Sequence, residues 1–543
     1  LVRHLELVGV THAFGCTGGT IAVFCEALAQ SNIDVVQCRH ESGAAFAAAE
    51  AHFASGAPAV VFTTSGPSIM NALNGLMAAR SEGAKVLLVS GSTPPRQRGR
   101  AAFQETSATS MPRSIFTKGS IFDFAIDLAD AGDVPMVLRT LQEGFARRGA
   151  FVAHVALPSS VQATPLEPAA TLPQSTAAAG LRPEDVTELA ALLTREPFGV
   201  WVGFGARHHA SAVRALAEKA CAPVVASPRG RGIFPETHPL FLGVTGLASP
   251  WDTTSRLVGA GLKRLLVLGS RLGEFSSLWD ESIIPAGGLI QVDVDPDVPR
   301  AFPGRPRHLV RADVGDFLAA LTPHVRGRPS DVQPPPPVPA IPSLRGGPVR
   351  PSVLLAYVQR IMVDAGAPII VDCGNSFAWA NSILRFTRPN YRVSLGWGSM
   401  GQAVAGVIGS AMATSKRSVA IVGDGAMLMQ NELSTAVKYG VDAVWVILND
   451  AQYGMIEQGM RAGNLEPVET QIPRVDFVAM AESVGAKGVR IGEEHALEAG
   501  LRAAMEARGP FVVDVTIDRD ELAPIGKRVT ALERQGVGRT SDE

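Results

Sequence analysis

The stretch "SVAIVGDGAMLMQNELSTAVKYGVDAVWVILNDAQYGM" (418–455) constrains the fold of this chain more than any other. Two β-branched apolar runs, 418–422 and 443–448, each stop at a polar cluster, and a helical pattern fills the gap between them. Short runs that are apolar throughout suit strands covered on both faces, and strand–helix–strand units build parallel sheets. The first run delivers Gly423-Asp424-Gly425 to a tight turn, and the second delivers Asn449-Asp450 to the same sheet edge. Glycines let backbone approach an anion, and a helix start offers that anion unpaired N–H groups. Asp424 and Asp450 supply the oxygen ligands that Mg²⁺ prefers while it also holds phosphate. A lone G-D-G means little. G-D-G, then 23 residues, then N-D, each at a strand end, is specific.

The same alternation runs through all 543 residues, enough for about three domains at roughly 100–200 residues each. The predicted fold class is α/β, with three doubly wound parallel sheets. Two Pro-rich stretches, 157–174 and 326–351, leave blocks at 1–163, 183–325 and 350–522; the second stretch is predicted to be an extended spacer. Blocks one and three echo each other. "LRTLQEGFARRGAFVAHVALP" (138–158) and "LEAGLRAAMEARGPFVVDVTI" (497–517) both read as helix, Arg-Gly turn and buried strand. The middle block has its own strands near 199–205, 264–270 and 289–296. A net charge of −2 gives no electrostatic reason to expect nucleic acid or a membrane surface as partner. No apolar run approaches the ~20 residues that cross a bilayer. Five cysteines without a C-x-x-C pair fit a reducing compartment. The expectation is a soluble cytoplasmic protein, with no signal peptide before Leu1 and a start that reads as trimmed.

"VVQCRHESGAAFAAAEAHFASG" (35–56) places Glu41 at the carboxyl end of a strand, with only small residues behind it. An acid in a helix's first turn is worth about 0.3–1 kcal/mol through the helix dipole. Strand ends of open α/β sheets are also where ligands bind, so the acid could instead be kept for its proton.

The 418–455 stretch resembles the thiamine diphosphate signature of the acetolactate synthase and pyruvate decarboxylase superfamily. Further similarities follow in chain order: "FGCTGG" (14–19), "RHE" (39–41), "TTSGPSIMNALNGL" (63–76), "AAFQET" (101–106), "GSMG" (398–401) and "LNDAQYGM" (448–455). The resemblance implies a pyrimidine-binding first block, a Rossmann-like middle block and a diphosphate-binding third block. It also implies thiamine diphosphate lying between the first block of one chain and the third of another, hence a homodimer or homotetramer. Glu41 would exchange a proton with the cofactor's pyrimidine, with Phe103 and Gln104 as further catalytic residues. Met400 would be the apolar wedge that bends the cofactor, and the backbone of Gly398 and Met400 would hold the pyrimidine edge. The side chains of Asp424 and Asp450 and the carbonyl of Gln452 would hold Mg²⁺. Gly374, Asn375, Ser376, Gly425 and Ala426 would cradle the diphosphate, with Tyr453, Gly454 and Met455 adjoining. Cys16, Thr17 and Gly459 would face the substrate pocket.

Departures from the family matter as much. The second metal position is often Asn, and Asp450 there adds negative charge beside a diphosphate. The interval from G-D-G to N-D is a residue short, which implies a tightened turn near Gln430. The flavin contacts of true acetolactate synthases are not recognisable in the middle block, so FAD is not expected. The paired histidines of simple 2-oxo acid decarboxylases are absent near "AAFQET". Gly459 stands where acetolactate synthases of this type carry a tryptophan, which leaves room for a bulky acceptor. His208-His209 and the "GFG" of 203–205 read as structural. The expected function is a carboligase that decarboxylates a 2-oxo acid donor and joins what remains to a second carbonyl, giving an acyloin or acetohydroxy acid. The alternatives are a plain decarboxylase, an acetolactate synthase proper, or a non-catalytic cofactor-binding regulator. Intact Glu41, Asp424 and Asp450 argue against the last.

Overall fold

Among the described residues, eighteen strands lie in three six-stranded sheets, and every strand pairing is parallel. The structure is a computed structural model that describes residues 1–164, 181, 183–249, 253–295, 297–327, 332–338, 340–534 and 536. The first sheet runs Asp34–Gln37, His12–Gly15, Ala59–Thr63, Lys85–Ser92, Phe151–Pro158, Phe124–Asp127. The third runs Tyr391–Val393, Ile369–Val371, Ser418–Gly423, Ala443–Asn449, Phe511–Thr516, Lys487–Ile491. Numbered within each sheet, both orders are 2-1-3-4-6-5. The echo between blocks one and three therefore extends to the whole topology. The middle sheet has a different order: Arg307–Arg311, Leu289–Asp293, Arg264–Leu268, Phe198–Val202, Val224–Ala226, Phe241–Val244. The strands stay parallel, but their order along the chain changes sense between the third and fourth of these. At that crossing a Cβ on Gly203 would lie 2.3 Å from the Gly269 carbonyl oxygen, so the "GFG" glycines answer to packing.

Register explains why the acids meet. Ser418 pairs with Ala443 and Gly423 with Leu448, so the next residues, Asp424 and Asn449-Asp450, leave the sheet at one edge. Residues 419–422 and 443–448 are buried and apolar, and the polar residues that follow them mark the sheet edge.

The small residues behind Glu41 have a packing reason. Residues 41–53 of the helix Glu41–Ser55 are all buried. A Cβ on Gly409, in the helix Gln402–Thr414, would lie 1.9 Å from the Ala47 carbonyl oxygen. One on Gly75, in the helix Pro67–Glu82, would lie 2.5 Å from the Ala45 Cβ. Three helices touch almost backbone to backbone, and larger side chains would separate them.

Of the second Pro-rich stretch, the described residues 332–338 and 340–350 form neither helix nor strand, and Pro351 opens the next helix. Within the first stretch Ser159–Gln162 form a helical turn, while 165–174 lie outside the described residues, as do 328–331 and 339. Among the described residues no helix is long and apolar enough to cross a membrane.

Arg231 joins the middle and third domains. Its Nε and Nη2 donate to Glu236 at 2.9 and 2.7 Å, and Nη1 donates to the Asn381 carbonyl at 2.9 Å. Both side chains are fully buried. Removing one partner of such a pair strands a buried charge, at about 3–5 kcal/mol. Arg231→Met is expected to lower stability by about that amount. Arg231→Met/Glu236→Leu should recover most of it in urea unfolding. A single variant as stable as wild type would contradict this.

Candidate active site

Three strand ends build the site. After Val371 comes Asp372, buried, with Oδ1 accepting from Gly401 N (3.2 Å) and Oδ2 from Ala403 N (2.9 Å). Burial pushes its carboxyl up to about 6, and these N–H bonds oppose the rise. Asp372 thereby ties the 373–376 turn to the "GSMG" loop. Gly374, at φ +89°, swings the chain into the helix Asn375–Ile383.

Asp424 laces the other two turns together. Its Oδ1 accepts from Gly425 N at 2.7 Å and its Oδ2 from Ala451 N at 2.6 Å. Burial raises this carboxyl above its usual range. Asp450 is pushed up to about 6, by burial first and by the charge of Asp424 second. Gln452 Nε2 donates to Asp450 Oδ2 at 2.9 Å, and Arg519 Nε donates to the Asp450 carbonyl at 2.5 Å. A buried carboxylate and a half-buried one that disfavour each other's charge are relieved by a divalent cation between them. Among the described residues no cluster of three or more His, Cys, Asp or Glu stands ready for a metal. A cation here would therefore also need carbonyl and phosphate oxygens.

The surroundings fit that requirement. Asn375 Oδ1 is buried without a hydrogen-bond partner among the described residues. A Cβ on Gly425 would lie 2.7 Å from the Tyr453 ring and 3.3 Å from Met400 Cε, so glycine keeps the turn open between them. Gly374, Asn375, Ser376, Gly398, Met400, Asp424, Gly425, Ala426, Asp450, Gln452, Tyr453, Gly454 and Met455 all line one open cavity. It can hold a diphosphate on helix N–H groups with a cation at the two aspartates.

Glu41 stands elsewhere. It heads its helix, buried, with Oε2 accepting from Asn71 Nδ2 at 3.0 Å. His40 caps the helix, its Nδ1 accepting from Ser42 N at 3.1 Å. Cys16 lies close by: burial pushes its thiol up to about 12, and the charge of Glu41 adds to the rise. Thr17 N donates to Gln37 Oε1 at 3.0 Å. Gln104, at φ +51°, packs on Gly66, and Phe103 is 90% exposed. None of Glu41, Cys16, Thr17, Phe103 and Gln104 lines the Asp424 cavity of its own chain. Gly459 does not line it either, although Met455, Ile456 and Gln458 of the same helix, Gly454–Ala462, do.

Several residues escaped the sequence reading. Glu432, buried, accepts from His40 N (2.9 Å) and Arg39 N (3.0 Å), so a third-domain carboxylate holds the backbone just ahead of Glu41. A Cβ on Gly43 would lie 2.6 Å from that carboxylate. Gln430, in the shortened connection, is buried and donates to Ser42 Oγ at 3.2 Å. Asp372 could have been found by the rule that found Glu41, because it too is an acid closing a β-branched run. His209 pairs with Asp313 at 3.3 Å, and Asp313 also receives Arg148 of the first domain, which makes a domain contact.

Three family models match in order: the thiamine pyrophosphate enzyme N-terminal TPP binding domain over residues 1–111, the central domain over 188–321, and the C-terminal TPP binding domain over 372–515. The chain is 29% identical to the large subunit of acetolactate synthase isozyme 1 from Escherichia coli (strain K12), over 96% of this chain and 94% of that one. It is 28% identical to the thiamine pyrophosphate-containing protein named YdaP from Bacillus subtilis (strain 168), over 98% and 93% respectively. The chain belongs to the thiamine pyrophosphate enzyme family, as an acetolactate synthase-like enzyme that depends on thiamine diphosphate.

Proposed function

We propose that this enzyme is a Mg²⁺-dependent carboligase that decarboxylates a 2-oxo acid and joins the remaining fragment to a second carbonyl compound bulkier than pyruvate. The observation that carries the reading is the Asp424–Asp450 pair, laced through Ala451 N and set beside the unpartnered Asn375 Oδ1. Similarity to a chain named as an acetolactate synthase large subunit supports carboligation. When bound, thiamine diphosphate supplies the electron sink for decarboxylation. The chain's own groups do the rest. Asp424, Asp450 and the Gln452 carbonyl hold Mg²⁺. Gly374 to Ser376 and Gly425-Ala426 hold the diphosphate. Met400 and the backbone of Gly398 orient the pyrimidine, and Glu41 exchanges a proton with its N1′.

Glu41 lies outside its own chain's cavity, which supports a working unit of at least two chains, with each Glu41 serving a neighbour's cavity. Whether the assembly is a dimer or a tetramer is read by sedimentation; a fully active monomer would contradict the arrangement. In this reading the middle domain works without FAD, and flavin absorbance in the purified enzyme would overturn that part. Incubation with thiamine diphosphate, Mg²⁺ and a panel of 2-oxo acids, with products identified by mass, tests the function. Aldehydes alone would favour the plain decarboxylase.

The bulky acceptor rests on Gly459, which lies off the cavity wall on the helix that lines it through Met455, Ile456 and Gln458; an added Cβ there meets nothing within 4 Å, so a large side chain has room to extend toward that wall. A tryptophan brings on the order of 150–250 Å² of contact surface. Gly459→Trp is expected to shift acceptor preference toward pyruvate and suppress products from large acceptors. Efficient acetolactate formation by the wild type from pyruvate alone, with bulky acceptors ignored, would refute it.

A further inference from the structure

All three domains meet on the helix Pro67–Glu82. Asn71 Nδ2 donates to Glu41 Oε2 at 3.0 Å. Three residues on, and so on the same face, Asn74 engages the loop that carries Gly398 and Met400. Its Oδ1 accepts from Trp397 Nε1 at 2.8 Å, and its Nδ2 donates to Ser399 Oγ at 2.9 Å. An indole N–H can only donate, which settles the orientation of the Asn74 amide. At the helix end Glu82 Oε1 accepts from Gly396 N at 2.8 Å, and Oε2 pairs with Arg229 at 2.6 Å. Arg229 and Arg271 of the middle domain also donate to the Glu82 and Ser81 carbonyls, at 2.9 and 3.0 Å. The last carbonyls of a helix favour such cations.

The helix is thus anchored at its far end and reaches two separate parts of the machinery along one face. We propose that Asn71 and Asn74 are positioning residues, Asn71 for the Glu41 carboxyl and Asn74 for the loop Trp397–Met400. This rests on the roles proposed above for Glu41 and for Gly398 and Met400. Asn71 pins one oxygen of Glu41 and so turns the other toward the cofactor. Asn74 pins the middle of a loop that Asp372 holds only past its end, at Gly401 N, and whose Gly398, at φ +69°, leaves the backbone between less restricted. Both asparagines are exposed within the chain and Trp397 is half-exposed, so these bonds add little to the stability of the fold. What they add is direction.

The two residues predict different losses. Acid-quenched NMR of the enzyme with thiamine diphosphate and Mg²⁺ reads exchange of the thiazolium C2 proton for deuterium and needs no substrate. Asn71→Ala is expected to slow this exchange about tenfold or more, consistent with a proton-transfer group put out of line, while calorimetric affinity stays within about twofold. Asn74→Ala is expected to weaken thiamine diphosphate affinity about three- to tenfold, as the loss of one or two hydrogen bonds predicts. Trp397→Phe, which removes only the N–H, should do part of the same, and the double variant should be no worse than Asn74→Ala. Unfolding midpoints should match wild type throughout. Wild-type exchange in Asn71→Ala, or affinity and exchange falling together in both asparagine variants, overturns the proposal. Glu41→Gln is the control. If it exchanges like wild type, the role of Glu41 itself fails; if it is slow while Asn71→Ala is fast, only the positioning proposal fails.

Discussion

Glu41→Gln is expected to remove at least about 10²-fold of activity and to leave thiamine diphosphate affinity nearly unchanged, since general acid–base groups contribute about 10²–10⁴-fold. Glutamine keeps the volume of the side chain and an oxygen that can accept from Asn71 Nδ2, which now donates to Glu41. The cap from His40 and the grip of Glu432 on the preceding backbone do not involve the altered group. Only the exchangeable carboxyl proton is lost. A loss of less than about tenfold would end the assignment. The placement of Glu41 outside its own cavity adds a second, sharper test. Glu41→Gln and Asp424→Ala chains, each inactive alone, should regain activity when mixed and reassembled. In a mixed dimer one site carries both substitutions and the other carries neither. Random pairing then restores up to about a quarter of wild-type activity. If Glu41 and Asp424 served the same chain's site, mixing would restore nothing.

The fold and half of the site were legible because they depend on local pattern. Apolar runs ending in Gly-Asp-Gly, Asn-Asp and Cys-Gly-Asn-Ser announce parallel strands and place their polar ends at one edge, where the register gathers them. The identity of the first and third topologies was audible only as the helix–turn–strand echo, since the remaining units share order but not sequence. Partners distant along the chain left no trace. Glu432 holds Arg39 and His40 across nearly 400 residues, and Asn74 holds Ser399 across more than 300. Nothing in "NELSTA" or "NALNGL" says that an acid or an amide there reaches another domain. Such contacts are settled by how the helices Glu41–Ser55, Pro67–Glu82 and Gln402–Thr414 pack, and that depends on glycines whose purpose is visible only against a neighbour's backbone. Gly459 shows the reverse limit. Alignment with a family tryptophan suggested a pocket position, whereas the helix puts Met455, Ile456 and Gln458 on the cavity wall and Gly459 off it.

Asp424→Ala is expected to abolish metal-dependent binding of thiamine diphosphate, and calorimetry with the cofactor and Mg²⁺ reads this directly. Two losses are combined in that variant. The carboxylate carries charge for the cation, and its two oxygens also tether Gly425 N and Ala451 N, so its removal loosens both turns at once. Asp424→Asn separates them, because the amide keeps the shape and one acceptor but not the charge. If charge is what matters, Asn binds the cofactor nearly as poorly as Ala. If tethering is what matters, Asn retains most of the affinity and the G-D-G turn serves the fold. The pH dependence gives an independent reading. Burial and the neighbouring charge of Asp424 hold Asp450 up to about 6, so below that pH a cation must displace a proton to bind. Wild-type Mg²⁺ affinity should therefore be full above about pH 6 and fall as pH drops through it. In Asp424→Asn the neighbouring charge is gone, so Asp450 ionises more readily and the remaining, weaker Mg²⁺ binding should fall off at lower pH than in wild type. A midpoint that stays in place would mean that the charge of Asp424 does not govern the proton that Mg²⁺ displaces from Asp450.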